Sequence, residues 1–261
     1  MAPKYIMKNR MISKLRIFFI VVFCLFYSTL FARDLQVSLA FLPKILESPN
    51  EGVFVDLVKA IDNEYTEGNF DIKVYPMARS ITNVVNGAAD FHIPMIRNSI
   101  VPEEQLPFRF TTENLGKVVL VIYSNRDAPI TAQMINAVKD KVPFPYKIET
   151  GRGLETYFDF PITPISNLDS SLRKVSIMRT GALIWAQEET DYLLKTLNIK
   201  AIHREFYNEY DDVAVIPKGP KGDEIDAILT KAIKKLRASG RLAELHQKIH
   251  VPYVDWQPYS Q

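Results

Sequence analysis

Two short stretches of the chain, residues 75–79 and 92–97, carry side chains that could recognise a ligand. A helix is predicted between them, because Pro76 suits a first helical turn and Gly87 can take the left-handed conformation that ends a helix. Both stretches then follow neighbouring strands, and ligands bind at the carboxyl ends of strands in open α/β sheets. The pattern predicts a ligand site at this edge. The structural alternative is an ordinary βαβ unit in which Arg79 is solvated.

The predicted ligand-binding residues combine guanidinium groups, aromatic rings and polar side chains. Arginine forks onto carboxylates, and aromatic rings stack on ligands. Residues 151–153, Gly-Arg-Gly, precede a predicted short helix whose backbone N–H groups could bind an anion. The full set is Phe41, Tyr75, Arg79, His92, Arg97, Arg152, Trp185 and Gln187. The structural alternatives are core packing for the rings and exposed ion pairs, worth little, for the arginines.

The spacing of reactive residue types indicates no catalytic or metal site. No Ser-His-Asp or Cys-His arrangement can be identified, and residues 33–261 contain no cysteine that could act as a thiol nucleophile. His246 and His250 are four residues apart, a spacing that can bind zinc on a helix. The sequence near them offers no cysteine and no evident third ligand, so we predict no metal and no cofactor.

Residues 1–32 have the composition of a secretory signal peptide. Five basic residues and no acidic one precede an apolar run, residues 17–30, and Ala32 provides an acceptable cleavage site. The run is short for a membrane span, which needs about 20 apolar residues, although a retained N-terminal anchor is the alternative. Removing this segment takes away five of the 32 basic residues and none of the 30 acidic ones, so the net charge changes from +2 to −3. The prediction is a soluble periplasmic protein without a basic surface for nucleic acid.

After the signal segment, apolar periodicity alternates between strand and helix, which is typical of an α/β fold with mostly parallel sheets and flanking helices. Two such lobes are predicted, one inserted into the other. The first lobe comprises residues 33–115 plus 213–261, and the second comprises residues 116–212. Two crossing segments between them form a hinge that can close around a ligand. Residues 199–206 and 212–217 are predicted as separate strands.

Several short motifs occur in a recognisable order between residues 33 and 250. They are Gly52-Val-Phe-Val-Asp56, Val-Asn-Gly87-Ala-Ala-Asp90, Phe108-Arg-Phe-Thr-Thr, Gly151-Arg-Gly153 and Ser239-Gly240-Arg-Leu. Their order and spacing resemble the periplasmic solute-binding proteins of bacterial extracellular family 3, which serve amino-acid ABC transporters. Residues 75–79, Tyr-Pro-Met-Ala-Arg, are similar to a Pro-x-x-Arg variant in divergent members. The resemblance implies the two-lobed type II periplasmic-binding fold and a small polar solute, amino-acid-like or an organic anion, in the cleft.

Two positions depart from the pattern of the amino-acid binders. Those proteins carry an arginine that holds the ligand carboxylate, whereas residues 100–105 here read Ile-Val-Pro-Glu-Glu-Gln. The acidic residue expected after the strand at residues 182–187 is missing or displaced to Glu188. Arg79 and Arg97 are therefore rival replacements for the absent arginine.

The resemblance implies that the solute is passed to an ABC permease or reported to a membrane sensor, and we also predict a monomer. The alternative is a periplasmic enzyme on the same scaffold, similar to the cyclohexadienyl dehydratases. Glu188, Glu155 or His92 would then act as general acid or base.

Overall fold

The computed structural model describes residues 33–42 and 45–260. The predicted signal peptide, residues 1–32, lies outside this range. Among the described residues, no helix combines the length and the hydrophobicity needed to cross a bilayer. These residues form one continuous nine-stranded sheet with helices packed on its faces.

Three parallel strands form the first lobe, in the order β2-β1-β3. They are β1 (Leu35–Ala40), β2 (Phe70–Tyr75) and β3 (Phe91–Ile96). Helices α1 (Val53–Asp62) and α2 (Met77–Val85) connect them. The predicted β-α-β-α-β order is therefore confirmed.

The chain then crosses to a second set of strands. The short β4 (Arg109–Phe110) and the long β5 (Gly116–Asn125) lie at the crossing. The second lobe contains three parallel strands, β6 (Ile148–Gly151), β7 (Thr163–Ile165) and β8 (Ala182–Ala186), and β8 pairs antiparallel with β5. Each lobe thus has a parallel three-stranded part joined to antiparallel strands at the junction.

Helices α3 (Ala132–Asn136), α4 (Leu168–Ser176) and α5 (Gln187–Thr196) belong to the second lobe. Strand β5 is apolar or aromatic throughout residues 118–123 because both of its faces are buried. One face packs in a cluster of Val119, Val121, Tyr123, Leu168, Leu172, Val175, Leu183, Leu194 and Ile202. The other face packs in a cluster that includes Val84, Met95, Phe110, Val118, Leu120, Ile122, Ile148 and Val213. Since this second cluster draws on both lobes, the lobes share an apolar core.

A single strand, β9 (Ile202–Ile216), runs through both lobes. It pairs antiparallel with β5 in the second lobe and with β3 and β4 in the first. The prediction of two strands, at residues 199–206 and 212–217, was wrong. The polar residues between those ranges resemble a loop in the sequence, but they continue the strand, and a register shift between Leu120 and Val121 of β5 accommodates them.

Helices α6 (Pro220–Ala238) and α7 (Arg241–His246) return to the first lobe. Their apolar residues recur at helical spacing and pack with α1 and the first-lobe strands. The principal members of this cluster are Leu35, Leu39, Phe54, Leu57, Ile61, Ile225, Leu229, Ile233, Leu242 and Leu245. The first lobe therefore has a core of its own.

Residues 251–260 pass from α7 onto the second lobe, where Arg204 holds them. The Arg204 side chain is completely buried and forks onto Asp191, with two N–O distances of 2.7 Å. It also donates to the carbonyl oxygens of Val254 at 3.2 Å and Trp256 at 2.8 Å, and its guanidinium lies 4.3 Å from the Trp256 ring centroid. The C-terminal segment is thus attached to the second lobe, while the lobe boundaries predicted from the sequence stay a prediction.

A buried polar triad holds α2 against β1 and β3. His92 Nδ1 lies 2.6 Å from Ser80 Oγ and 3.2 Å from the Ser38 carbonyl oxygen. Ser80 Oγ donates to Ser38 Oγ at 2.8 Å. Burial lowers the pKa of His92 from 6.5 to about 4, because the charged imidazolium would lose its hydration. The ring is therefore neutral at pH 7.

Replacing Arg204 with methionine should destabilise the fold by about 3 kcal/mol or more, because Asp191, whose side chain is only 16% exposed, would lose its cation. The free energy of unfolding from urea denaturation measures this loss. Arg126→Met is the matched control, since Arg126 also lies over an aromatic ring of the C-terminal segment, that of Tyr259, but is exposed. It should cost less than about 0.5 kcal/mol. Equal losses in the two variants would contradict the anchoring role of Arg204.

Acid should destabilise the protein through His92. An unfolded histidine titrates near 6.5 and the buried ring near 4, so the unfolded chain binds more protons between these values and stability falls as the pH falls. The loss amounts to about 3 kcal/mol at pH 4. His92→Asn lacks this titration, so its stability relative to the wild type should rise by that amount between pH 7 and pH 4. Urea denaturation at both pH values tests this, and a constant difference between the proteins would show that His92 is not buried in its neutral form.

Candidate functional site

A cavity of about 320 Å³ lies between the two lobes. Part of its wall lies where parallel strands end. In the first lobe, Phe41 follows β1 and Pro76 follows β2. In the second lobe, Arg152 follows β6 and Trp185 lies near the end of β8. Open α/β folds bind ligands at this edge of their sheets. Much of the remaining wall is apolar and consists of Leu42, Ile45, Met77, Met95, Ile96, Val118, Leu120, Leu154, Ile165 and Leu168. The size and the apolar lining are those of a small-molecule site.

Three of the predicted ligand-binding residues, Phe41, Arg152 and Trp185, line this cavity. Phe41 is 47% exposed in the first lobe. Gly151 leaves space for the indole of Trp185, because a Cβ at Gly151 would lie 2.8 Å from Trp185 Cη2. Arg152 is exposed and donates its Nε–H to Ser166 Oγ at 3.3 Å. Two aromatic rings and one guanidinium therefore meet at the same cavity.

The other five predicted residues are not part of the cavity wall that the described residues form: Tyr75, Arg79, His92, Arg97 and Gln187. Arg79 is exposed on α2. Arg97 donates to the Thr111 carbonyl oxygen at 2.5 Å, and the side chain of Gln187 donates to the Val251 carbonyl oxygen. A ligand-binding role for these five residues stays a prediction.

The inner end of the cavity carries carboxyl and imidazole groups. Glu188, Glu189, Asp212 and His250 line it, and His246 lies beside His250 with ring centroids 4.8 Å apart. His250 Nδ1 lies 3.2 Å from Glu188 Oε1, and its Nε2 lies 3.7 Å from Asp212 Oδ2. His246 Nε2 lies 3.8 Å from the same Asp212 oxygen. We call Glu188, Asp212, His246 and His250 the inner cluster.

Three elements from different parts of the chain build the inner end. Glu188 and Glu189 occupy the first turn of α5, where the helix dipole favours acidic groups. Asp212 lies on β9 where the strand passes between the lobes. His246 ends α7, and Gly116 makes room for its ring, because a Cβ at Gly116 would lie 2.3 Å from His246 Cε1.

Burial controls the protonation of these groups. It raises the pKa of Glu189 to about 7 despite a hydrogen bond from the indole N–H of Trp185, and it raises the pKa of Asp212 to about 7 despite the nearby His250. Burial and the neighbouring His250 lower the pKa of His246 to about 4. Burial also opposes charge on His250, but the carboxyl groups around it outweigh this effect and raise its pKa. A neutral imidazole thus lies beside carboxyl groups that exchange protons near neutral pH.

Sequence reasoning identified only part of the inner end. It singled out Glu188 as a displaced carboxylate and noted the spacing of His246 and His250, but it missed Asp212 and Glu189. Asp212 directly precedes an apolar run, residues 213–216, so it resembles a solvated strand end. The available signal was a pair of consecutive acidic residues, Asp211 and Asp212, at the start of the second predicted strand.

No protein-family model matches the chain, and no curated protein sequence matches it. Solved structures do match. The ligand-binding core of GluR0 from Nostoc punctiforme, in complex with L-glutamate, is 13% identical, with a TM-score of 0.63 over 84% of this chain and 100% of that chain. A histidine kinase sensor domain with similarity to periplasmic binding proteins is 15% identical, with a TM-score of 0.66 over 84% and 96% of the two chains. A putative L-cystine ABC transporter from Listeria monocytogenes is 16% identical, with a TM-score of 0.62 over 83% and 95%.

These likenesses are at the level of the fold, because all three identities are low. They agree with the fold class predicted from the sequence. The chain has the two-lobed α/β fold of periplasmic binding proteins.

Proposed function

We propose that the protein captures a small solute in the cavity between its lobes. The proposal rests on the composition of the cavity wall, which contains side chains from both lobes. The first lobe contributes Phe41 and the second contributes Trp185. A solute that contacts both lobes gains more contacts when they are closed than when they are open. It therefore shifts a hinged protein toward its closed state.

The lining favours a solute with an apolar body and an anionic group. Apolar side chains such as Met77 and Leu120 form much of the wall. Arg152 supplies a guanidinium, which pairs with carboxylates. The acidic inner end disfavours a second anionic group and attracts a cation. These features support an amino-acid-like solute or an organic anion, the two classes predicted from the sequence.

The proposal includes export to the periplasm and delivery of the solute to an ABC permease or a membrane sensor. The predicted signal peptide, residues 1–32, supports export. The fold neighbours support both kinds of partner, because they include a sensor domain and a putative ABC transporter protein. A monomer suffices for binding, since one chain supplies both sides of the cavity.

An enzyme on the same scaffold is the second candidate, and one contact favours it. His250 Nδ1 and Glu188 Oε1 lie 3.2 Å apart at the inner end, a pair that can move a proton. The other predicted acid–base residues are engaged elsewhere, because Glu155 accepts a hydrogen bond from the Gly153 N–H and His92 lies in the polar triad. The dehydratase-like alternative therefore depends on Glu188.

A thermal-shift screen of amino acids, organic acids, polyamines and short peptides should identify a class that stabilises the protein. A solute at 100 times its Kd adds about 2.7 kcal/mol. Binding should then change the fluorescence of Trp185, which Trp256→Phe leaves as the sole tryptophan beyond the signal segment. No stabilisation by any class would count against solute capture.

Arg152→Ala should weaken an anionic solute at least tenfold, because a hydrogen bond to a charged group is worth about 1.5–3 kcal/mol. Isothermal titration calorimetry measures the affinity. Arg179→Ala is the matched control, since Arg179 is an exposed arginine of the same lobe that does not line the cavity. Equal affinities in the two variants would show that Arg152 does not bind the solute.

Incubation with prephenate or arogenate should give no turnover if the protein only binds solutes. Product formation followed by chromatography decides between the two candidates. Turnover that Glu188→Gln abolishes would establish the enzyme and overturn the binding-only account.

A further inference from the structure

The inner cluster contains buried polar atoms that no described residue satisfies. Both oxygens of Asp212, Nε2 of His246 and Nε2 of His250 lack an aligned hydrogen-bond partner among residues 33–42 and 45–260. The Asp212 side chain is 0% exposed, and the His250 side chain is 9% exposed. Buried polar groups are normally paired, so these side chains are suited to binding an occupant.

The donor types indicate the class of that occupant. Asp212 Oδ2 lies 3.8 Å from His246 Nε2 and 3.7 Å from His250 Nε2, and one ligand atom from each residue lies within 4.8 Å of the others. A tetrahedral zinc ion with bonds of about 2.0–2.2 Å holds its ligand atoms about 3.4 Å apart. Small movements of the side chains would therefore close the site. Two imidazole nitrogens and one carboxylate oxygen suit zinc better than calcium or magnesium, which prefer oxygen ligands.

Glu188 is placed to orient one of the imidazoles. It lies 3.2 Å from His250 Nδ1, on the side of the ring away from Asp212. A carboxylate at Nδ1 holds the proton there and leaves Nε2 free for a metal, the arrangement that supports many metal-binding histidines. Glu188 is thus a positioning residue for the His250 ring.

We propose that Asp212, His246 and His250 bind a divalent metal ion of the zinc class, with Glu188 orienting His250. The proposal reverses the sequence-based prediction of no metal, and it does not depend on the proposed solute binding. Three protein ligands leave a tetrahedral position open. Because Asp212 and His250 line the cavity, that position is available to water or to a donor atom of the solute.

The alternative occupant is the ammonium group of an organic solute. Ammonium is also a cation, but it donates hydrogen bonds and has no need for two imidazoles in addition to a carboxylate. The donor set therefore favours a metal, and the experiment below separates the two.

The test uses the purified protein after treatment with EDTA and dialysis. Isothermal titration calorimetry with Zn²⁺ should show one site per chain, and the melting temperature should rise by several degrees. Mg²⁺ and Ca²⁺ should give neither effect. Co²⁺ should give the intense visible absorption bands of a tetrahedral site.

His246→Asn and His250→Asn should each weaken Zn²⁺ binding by at least 100-fold and abolish the Co²⁺ bands. Glu188→Gln should retain the bands with a 10- to 100-fold weaker affinity, as expected for a residue that orients a ligand. His203→Asn is the matched control, since His203 lies outside the inner cluster near Glu205 and should leave binding unchanged. Circular dichroism in EDTA checks that each variant is folded, and Glu188→Gln keeps the test decisive if a histidine variant is not.

Two results would overturn the proposal. One is Zn²⁺ binding that is absent, or that survives in both His246→Asn and His250→Asn. The other is binding of lysine or putrescine that Asp212→Asn abolishes, in a protein that binds no metal, because the inner cluster would then hold an organic ammonium group. Either result leaves capture of an anionic solute through Arg152 intact, since that is measured separately.

Discussion

The burial of a carboxylate at the junction of the lobes constrains the rest of the structure. Asp212 lies on β9, which pairs with β5 in one lobe and with β3 in the other, so the backbone hydrogen bonds of two lobes hold it in place. Its side chain is removed from water, and a dry carboxylate is costly unless a proton or a cation compensates it. The groups around Asp212 therefore determine whether it carries a charge, and a movement of the lobes would alter its surroundings.

The C-terminal segment extends this constraint to the second lobe. His250 directly precedes Val251, whose carbonyl oxygen accepts a hydrogen bond from Gln187, and Gln187 directly precedes Glu188. Further along, Arg204 holds the segment against the second lobe through Trp256. A movement between the lobes would consequently displace His250 relative to Glu188 or Asp212. The proposed occupation of the inner cluster and the proposed closure of the lobes would thus be mechanically connected.

The periodicity of apolar residues in the sequence predicted most helices and strands, because apolar residues recur at the spacing of the buried face of each element. Strand β5 illustrates this, since its uninterrupted apolar run is buried on both faces. Periodicity failed at β9, where the exposed polar residues 208 and 209 lie in the middle of a strand, and only pairing with β5 reveals the continuity. A long-range partner of this kind leaves no local signal.

The candidate site was only partly predictable for the same reason. Phe41, Arg152 and Trp185 follow or end strands, and the rule that strand ends bind ligands is sufficient to place them at the cavity. Arg97 satisfies the same rule, yet its guanidinium lies against Phe110 and the Thr111 carbonyl oxygen, which the sequence could not indicate. Asp212 joins two histidines that lie more than 30 residues away in the chain, so only the fold reveals the inner cluster.

The proposed function requires a solute to bind between the lobes and to contact both of them. Hydrogen–deuterium exchange on the protein, with and without a solute that raises its melting temperature, tests this most directly. We expect slower exchange both in residues 76–78 of the first lobe and in residues 185–189 of the second. Protection confined to one lobe, or to residues remote from the cavity, would contradict it.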